Sequence, residues 1–253
     1  MKKSLLALVI GLIILIVALT HSTNSVTADV ERINLINKTQ NSINYQAYFD
    51  TQQQTVYGNI SYDYVTKQGV QAYLDYNRST IETLTKRPHT TIFTNVVFNR
   101  PLSETEFIDF VKSYADNVLI YSMRSVESDG KRVTLFGAPE GNDIVPHQIL
   151  DTMLRDSSEH NAALFMGWIE VKITTNSQTL AQIMADPRVF TVEVAHTLIH
   201  DELTPAKLKQ RNIPEQARQR IAQGGTMDVQ ITAPSLYWNL EDTGFIAVPE
   251  YRK

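Results

Sequence analysis

Residues 92–123 read IFTNVVFNRPLSETEFIDFVKSYADNVLIYSM, and the fold turns on this stretch. Residues 92–98 are rich in β-branched and aromatic side chains, which suit a pleated, half-buried surface. Pro101, Leu102 and Ser103 follow, with Glu106 three positions after Ser103. That spacing is a capping box, in which Ser and Glu each satisfy an otherwise orphan amide, and Leu102 is placed to staple onto Phe107. Phe107, Phe110, Val111 and Tyr114 then fall at i, i+3, i+4 and i+7, one apolar helix face. The helix should stop near Asp116 and Asn117. Residues 118–123 read as a second strand with apolar residues on both faces, so the whole stretch is a β-α-β unit.

A second such unit occupies residues 163–199. Phe165, Gly167, Ile169, Val171 and Ile173 alternate with Glu170, Lys172 and Thr174, the period of two expected of a strand. Asn176 or Ser177 can cap a short helix carrying Leu180, Ile183 and Met184, which Asp186 and Pro187 end. Residues 189–198 read as one long strand. Two β-α-β units of similar length predict an α+β fold, a ferredoxin-like split β-α-β sandwich with an antiparallel sheet and two helices on one face. Residues 128–162 read as an insertion between them. It holds a turn at Ser128, Asp129 and Gly130, a strand over 132–136, a loop with Pro139 and Gly141, and a helix over 146–155 begun by Pro146.

Leu180-x-x-Ile183 followed by Asp186-Pro187-x-Val189-x-x-Val192-Glu193 resembles the second half of subtilisin propeptides and their stand-alone inhibitor relatives. The resemblance implies a ferredoxin-like domain that assists protease folding and occludes the active-site cleft. It also implies that the segment after the last strand, Thr197, Leu198, Ile199, His200, Asp201 and Glu202, is presented extended to the protease.

The flanks are read from composition and breakers. Residues 29–60, rich in Asn, Gln, Thr and Tyr, read as a loosely structured stalk ending in a short strand near 55–62. A helical pattern over 64–86 carries Val70, Tyr73, Leu74, Ile81 and Leu84. Arg87 and Pro88 should end it, because the residue before proline avoids the α region. Beyond Glu202 come a short helix begun by Thr204 and Pro205, another from Pro214 to Gly224 and Gly225, and a strand over 228–232. The tail holds Tyr237, Trp238, Phe245 and Tyr251, which argues for packing. The expected division is 1–28, 29–89, 90–202 with its insertion at 128–162, and 203–253.

Lys2 and Lys3 precede an uncharged, aliphatic run from Ser4 to Thr20, and a polar stretch follows, the grammar of a targeting segment. Val26 and Ala28 offer small residues for cleavage before Asp29. The run is about 17 residues long, near the ~17–25 needed to span a bilayer core. This favours an uncleaved single-pass anchor through residues 4–20. Lysines flanking a span stay cytoplasmic, which puts the rest of the chain outside the cytoplasm. Cleaved export is the alternative.

Composition excludes several chemistries. The chain has 23 basic against 27 acidic side chains, and two of the basic ones lie in the targeting segment. That is the wrong balance for a nucleic-acid binder, which must neutralise phosphates. Cys is absent, which excludes thiolate nucleophiles, iron–sulfur centres and Cys-based zinc sites. No Gly-x-Ser-x-Gly and no Gly-rich phosphate loop occurs, so no cofactor is expected. His196, His200 and Asp201 are the one arrangement hinting at metal, since a four-residue step can bring two imidazoles to one side. Exposed or pairing histidines explain it more simply. Glu104 with Glu106, Asp201 with Glu202, and Glu241 with Asp242 are neighbours in sequence only, which does not make an acid/base pair. Phe165 and Trp168 read as core. The tyrosines from Tyr45 to Tyr76 suit an interface or the packing of the 64–86 helix. The reading is therefore a non-catalytic, membrane-tethered protein-binding or regulatory domain whose partner is another envelope or extracellular protein. A secreted protease inhibitor or propeptide-like chaperone is the alternative, and a hydrolase with an unrecognised site the third.

Overall fold

The computed structural model describes residues 32–40, 43–62 except 51 and 54, 66–87, 91–155 except 149, 153 and 154, 163–210, positions 215, 218 and 219, 229–232 and 235–248. The targeting segment, residues 1–28, lies outside the described residues. Among the described residues no helix is long and apolar enough to cross a membrane. The architecture is mixed α+β, with two largely antiparallel sheets and six helices among the described residues.

The opening stretch folds as strand β4 (Thr91–Leu102), helix α2 (Glu104–Tyr114) and strand β5 (Asn117–Val126). Its capping box is formed: the Ser103 hydroxyl accepts the Glu106 N–H at 3.3 Å, and the Glu106 carboxylate accepts the Ser103 N–H at 2.9 Å. Such a cap contributes about 1 kcal/mol. Phe107, Phe110 and Val111 are the buried face of the helix. The second unit gives β7 (Leu164–Asn176), α3 (Ser177–Ala185) and β8 (Val189–Glu193). Asn176 is the cap, its amide oxygen accepting from the Gln178 and Thr179 N–H groups.

With β6 (Arg132–Gly137), these strands form a five-stranded sheet in the order β6-β5-β7-β4-β8, antiparallel at every neighbouring pair. The two units interleave: β7 lies between β5 and β4, and β4 between β7 and β8. Phe98, Phe107, Phe110, Trp168, Val171, Ile173, Leu180 and Ile183 share one core, between the sheet and helices α2 and α3. Val97 and Ile169 point the other way, into a second core.

That second core corrects the stalk reading. The region is a meander of β1 (Arg32–Gln40), β2 (Ile43–Asp50) and β3 (Thr55–Tyr62), to which β9 (Val229–Thr232) adds in parallel beside β3. Ile43, Tyr45, Ala47 and Phe49 are all buried, alternating with Asn44, Gln46 and Tyr48. Period-two alternation was present in the sequence, but tyrosine and alanine stood in for aliphatics. The Asn and Gln residues form the opposite face of the strand.

Helix α1 (Lys67–Leu84) joins the two cores. Its Val70, Tyr73 and Leu74 enter the meander-side core, and Ile81 and Leu84 enter the other. The Asn77 side-chain amide donates to the carbonyl of Val192, satisfying an acceptor on the edge strand β8.

The face assignment along β7 also changes. Ser122 pairs with Glu170 but Met123 pairs with Trp168, so Ile169 is an extra, bulged residue. Trp168, not Ile169, joins Val171 and Ile173 on the helix side, where it stacks on Phe107 with ring centroids 5.2 Å apart.

Candidate functional site

The segment after β8 is helical. Val194 leaves the strand, and α4 (Ala195–Glu202) follows, packing Ala195, Ile199 and the following Leu203 into the meander-side core, with the one-turn α5 (Pro205–Leu208) after it. The spacing i, i+4, i+8 is a helical stripe. Thr197 is buried, and its hydroxyl donates to the Phe93 carbonyl and accepts the Phe93 N–H, both at 2.8 Å. The expectation of an extended, exposed run over Thr197, Leu198, Ile199, His200, Asp201 and Glu202 is therefore corrected. Only Leu198, His200, Asp201 and Glu202 are half-buried, and Thr197 and Ile199 are core.

The histidines and their acidic neighbours do not converge. His200 stacks on Phe93 at 4.1 Å, and burial lowers its pKa, with Asp201 opposing. His196 lies edge-on to His200, centroids 6.3 Å apart. Asp201 turns instead to Arg87, and Glu202 to Lys207 at 2.9 Å and Lys38 at 3.5 Å. No group of three potential metal ligands occurs among the described residues. Glu104 faces His147 at 3.0 Å and Glu106 faces Arg100, so that carboxylate pair is also divided.

The chemistry-bearing groups that do gather lie on the sheet face beneath the meander. Cross-strand register places Lys172, Asn95 and Glu193 side by side on β7, β4 and β8. With Ile60 and His196 they line a space of about 10 Å³, the room of roughly one water. Burial alone pushes the Glu193 carboxyl up to about 8, which favours its neutral form. Burial lowers Lys172, with Glu170 opposing, and raises the Tyr45 phenol, helped by Tyr76 and Glu193. The Asn95 side-chain oxygen has no hydrogen-bond partner among the described residues. The row was not legible in the sequence, where Lys172 and Glu170 are simply the polar face of a period-two strand.

Its pH dependence follows. A carboxyl whose folded value lies above its unfolded one stabilises the fold fully below the unfolded value, about 4.3. That contribution is lost as pH rises towards the folded value, about 8. Lys172 has the opposite slope, over the range below its unfolded value. Glu193→Gln, uncharged at both pH values like the protonated acid, is expected to leave stability at pH 4 unchanged and to raise it at pH 8 by roughly 3–5 kcal/mol. Urea unfolding of both proteins at the two pH values measures this. Equal stabilities at pH 8 would contradict it.

A second polar cluster clasps helix α6 (Leu236–Asp242) to β5 and β6. Arg124 and Glu241, both fully buried, meet at 2.6 Å, and Arg132 reaches Glu241 at 2.9 Å and Asp242 at 2.5 Å. Both guanidinium groups lie 4.3 Å from the centre of the Trp238 ring. Thr134 accepts hydrogen bonds from Arg124 and from the Trp238 indole, each at 2.7 Å. Glu170 accepts the Tyr237 N–H at 2.9 Å and the Ser235 hydroxyl at 3.1 Å, and burial raises its pKa against these bonds. Glu241 and Asp242 are thus a docking pair. Nothing in their sequence spacing pointed to arginines more than 100 positions away.

The Glu193 row is sealed between layers, and the second cluster is buried at Arg124 and Glu241 but open to solvent at Asp242. No family model, curated protein or solved structure matches this chain.

Proposed function

We propose that the chain is a non-catalytic, extracytoplasmic domain, tethered to a membrane through residues 4–20, that binds an extended segment of another envelope or extracellular protein along strand β6. The observation that carries this reading is the state of that edge. Among the described residues β6 pairs with β5 only, and it exposes Phe136 to 53% while Val133 and Leu135 stay half-buried. An edge strand offers unpaired N–H and C=O groups to an incoming strand, and alternate side chains supply specificity. The interleaved order β5-β7-β4-β8, with α2 and α3 over one face, supports a ferredoxin-like split β-α-β core to which β6 is added. That core is the part shared with the propeptide-like resemblance. Lys2, Lys3 and the aliphatic run support the tether.

The test is cross-linking capture from membranes of a host of the native type, with the full chain and its Phe136→Lys variant. A charge at this position should reduce capture of the partner about tenfold or more while leaving the fold intact, since the side chain is exposed. Capture of the same protein by both would remove the strand-edge reading. If N-terminal sequencing shows a chain beginning near Asp29 that is soluble on fractionation, the tether is wrong.

A further inference from the structure

Four residues of α1, Lys67, Gln71, Leu74 and Arg78, follow one another at i, i+4, i+7 and i+11, a single stripe along the helix. Gln71, Leu74 and Arg78 form one wall of a groove of about 250 Å³, closed by Met184 of α3, Phe190 and Thr191 of β8, and Phe245. The interior is apolar: Leu74 is nearly buried, and the Phe190 and Phe245 rings meet edge to face at 6.3 Å. The two ends are positive. Lys67 lies 5.2 Å over the Phe245 ring, about 16 Å along the helix from Arg78 at 1.5 Å per residue.

Arg78 is exposed and makes no ion pair or hydrogen bond among the described residues. Its acidic neighbour Asp75 accepts a hydrogen bond from Gln71 at 3.0 Å. Arg87, Arg100, Arg124, Arg132 and Arg188 are each paired with a carboxylate, whereas Arg32 lies over the Tyr48 ring and Arg78 borders the groove. An exposed guanidinium at the mouth of an apolar cleft offers a two-pronged donor face to an incoming ligand, the geometry that matches a carboxylate. The Thr191 hydroxyl, nearly buried in the same wall, adds one more polar group.

We propose that this groove binds a small amphipathic monocarboxylate, with an aromatic or branched aliphatic body among Leu74, Phe190 and Phe245 and its carboxylate on Arg78. The groove lies below the ~300–1,000 Å³ of drug-sized sites, so the ligand is about the size of a single phenylalanine. Lys67 is too far to share that carboxylate and serves by raising the local positive potential. The site lies at β8, the sheet edge opposite β6, and does not depend on the strand-edge reading.

The experiment is a titration of the full chain with 3-phenylpropionate, followed by calorimetry or amide chemical shifts, with 3-phenylpropionamide as the uncharged control. Saturable binding is expected, at least tenfold weaker for the amide and at least tenfold weaker in Arg78→Gln. Arg78 is exposed and has no ion pair among the described residues, so its variant keeps the fold, and the urea midpoint should be unchanged. Lys112→Gln, on α2, should bind like the parent. Binding that does not saturate, equal binding of acid and amide, or an Arg78→Gln variant as tight as the parent would each overturn the assignment.

Discussion

Arg124→Met is expected to lower the unfolding free energy by about 3–5 kcal/mol, because it strands a fully buried carboxylate. Arg124 and Glu241 have no exposed side-chain surface, and the pair is bonded at 2.6 Å. Removing the guanidinium leaves Glu241 with Arg132 alone, whose contact comes from the rim of the cluster. The Trp238 ring also loses one of its two stacked cations. Burial lowers the Arg124 pKa and Glu241 opposes that, so each ion is tolerated inside only because the other is there. Urea denaturation should show the loss, with indole emission from Trp238 shifting to longer wavelength. The double variant Arg124→Met with Glu241→Leu should recover more than half of it, since an apolar pair of similar volume carries no desolvation cost. A single variant costing under about 1 kcal/mol would mean that α6 is not held by this pair.

Gly167→Ala is expected to cost about 3–4 kcal/mol, combining backbone strain with a steric clash. Gly167 has φ +126°, a conformation that L side chains rarely adopt, and a Cβ there would overlap the Leu102 carbonyl oxygen. That oxygen belongs to the backbone of β4, so it cannot swing aside as a side chain could. Relief would have to come from moving β4 away from the bulge that sets Trp168 and Ile169 on opposite sides of the sheet. Gly130→Ala is the matched control, with φ +86° and nothing within 4 Å of the added atom. It should cost only about 1 kcal/mol. Similar losses for both would show that the close approach of β4 and β7 contributes nothing.

Local sequence determined the local structure wherever a signal was complete within one turn or one strand. The capping box of Ser103 and Glu106, the apolar face of α2, the Asn176 cap and the Asp186 and Pro187 stop each depend on neighbours within four positions, and each is readable. The helix over 67–84 is likewise readable from its apolar spacing. Its start at Thr66 rather than further upstream follows from the hydroxyl, which accepts the Gly69 N–H at 3.1 Å. The β-α-β units were legible for the same reason.

Tertiary structure decided the rest, and the physical reason is that a side chain's surroundings are supplied by distant segments. Tyr45 and Phe49 alternate with polar residues in what reads as a stalk, and they became core only because α1, α4 and α6 cover that face of the meander. The helical stripe of Ala195, Ile199 and Leu203 overlaps a valine-rich strand, and its choice of helix depends on a core to receive it. The bulge at Ile169 exchanges which residues face the helices, a register decision made by β5 and not by β7 itself. Glu193 and Lys172 look like solvent-facing charges until the meander closes over them. Glu241 looks like a surface acid until Arg124 meets it from 117 positions away. Arg78 is the reverse case: its sequence neighbours Asp75 and Glu82 offer conventional helix pairing, yet among the described residues it makes no ion pair and borders an apolar groove.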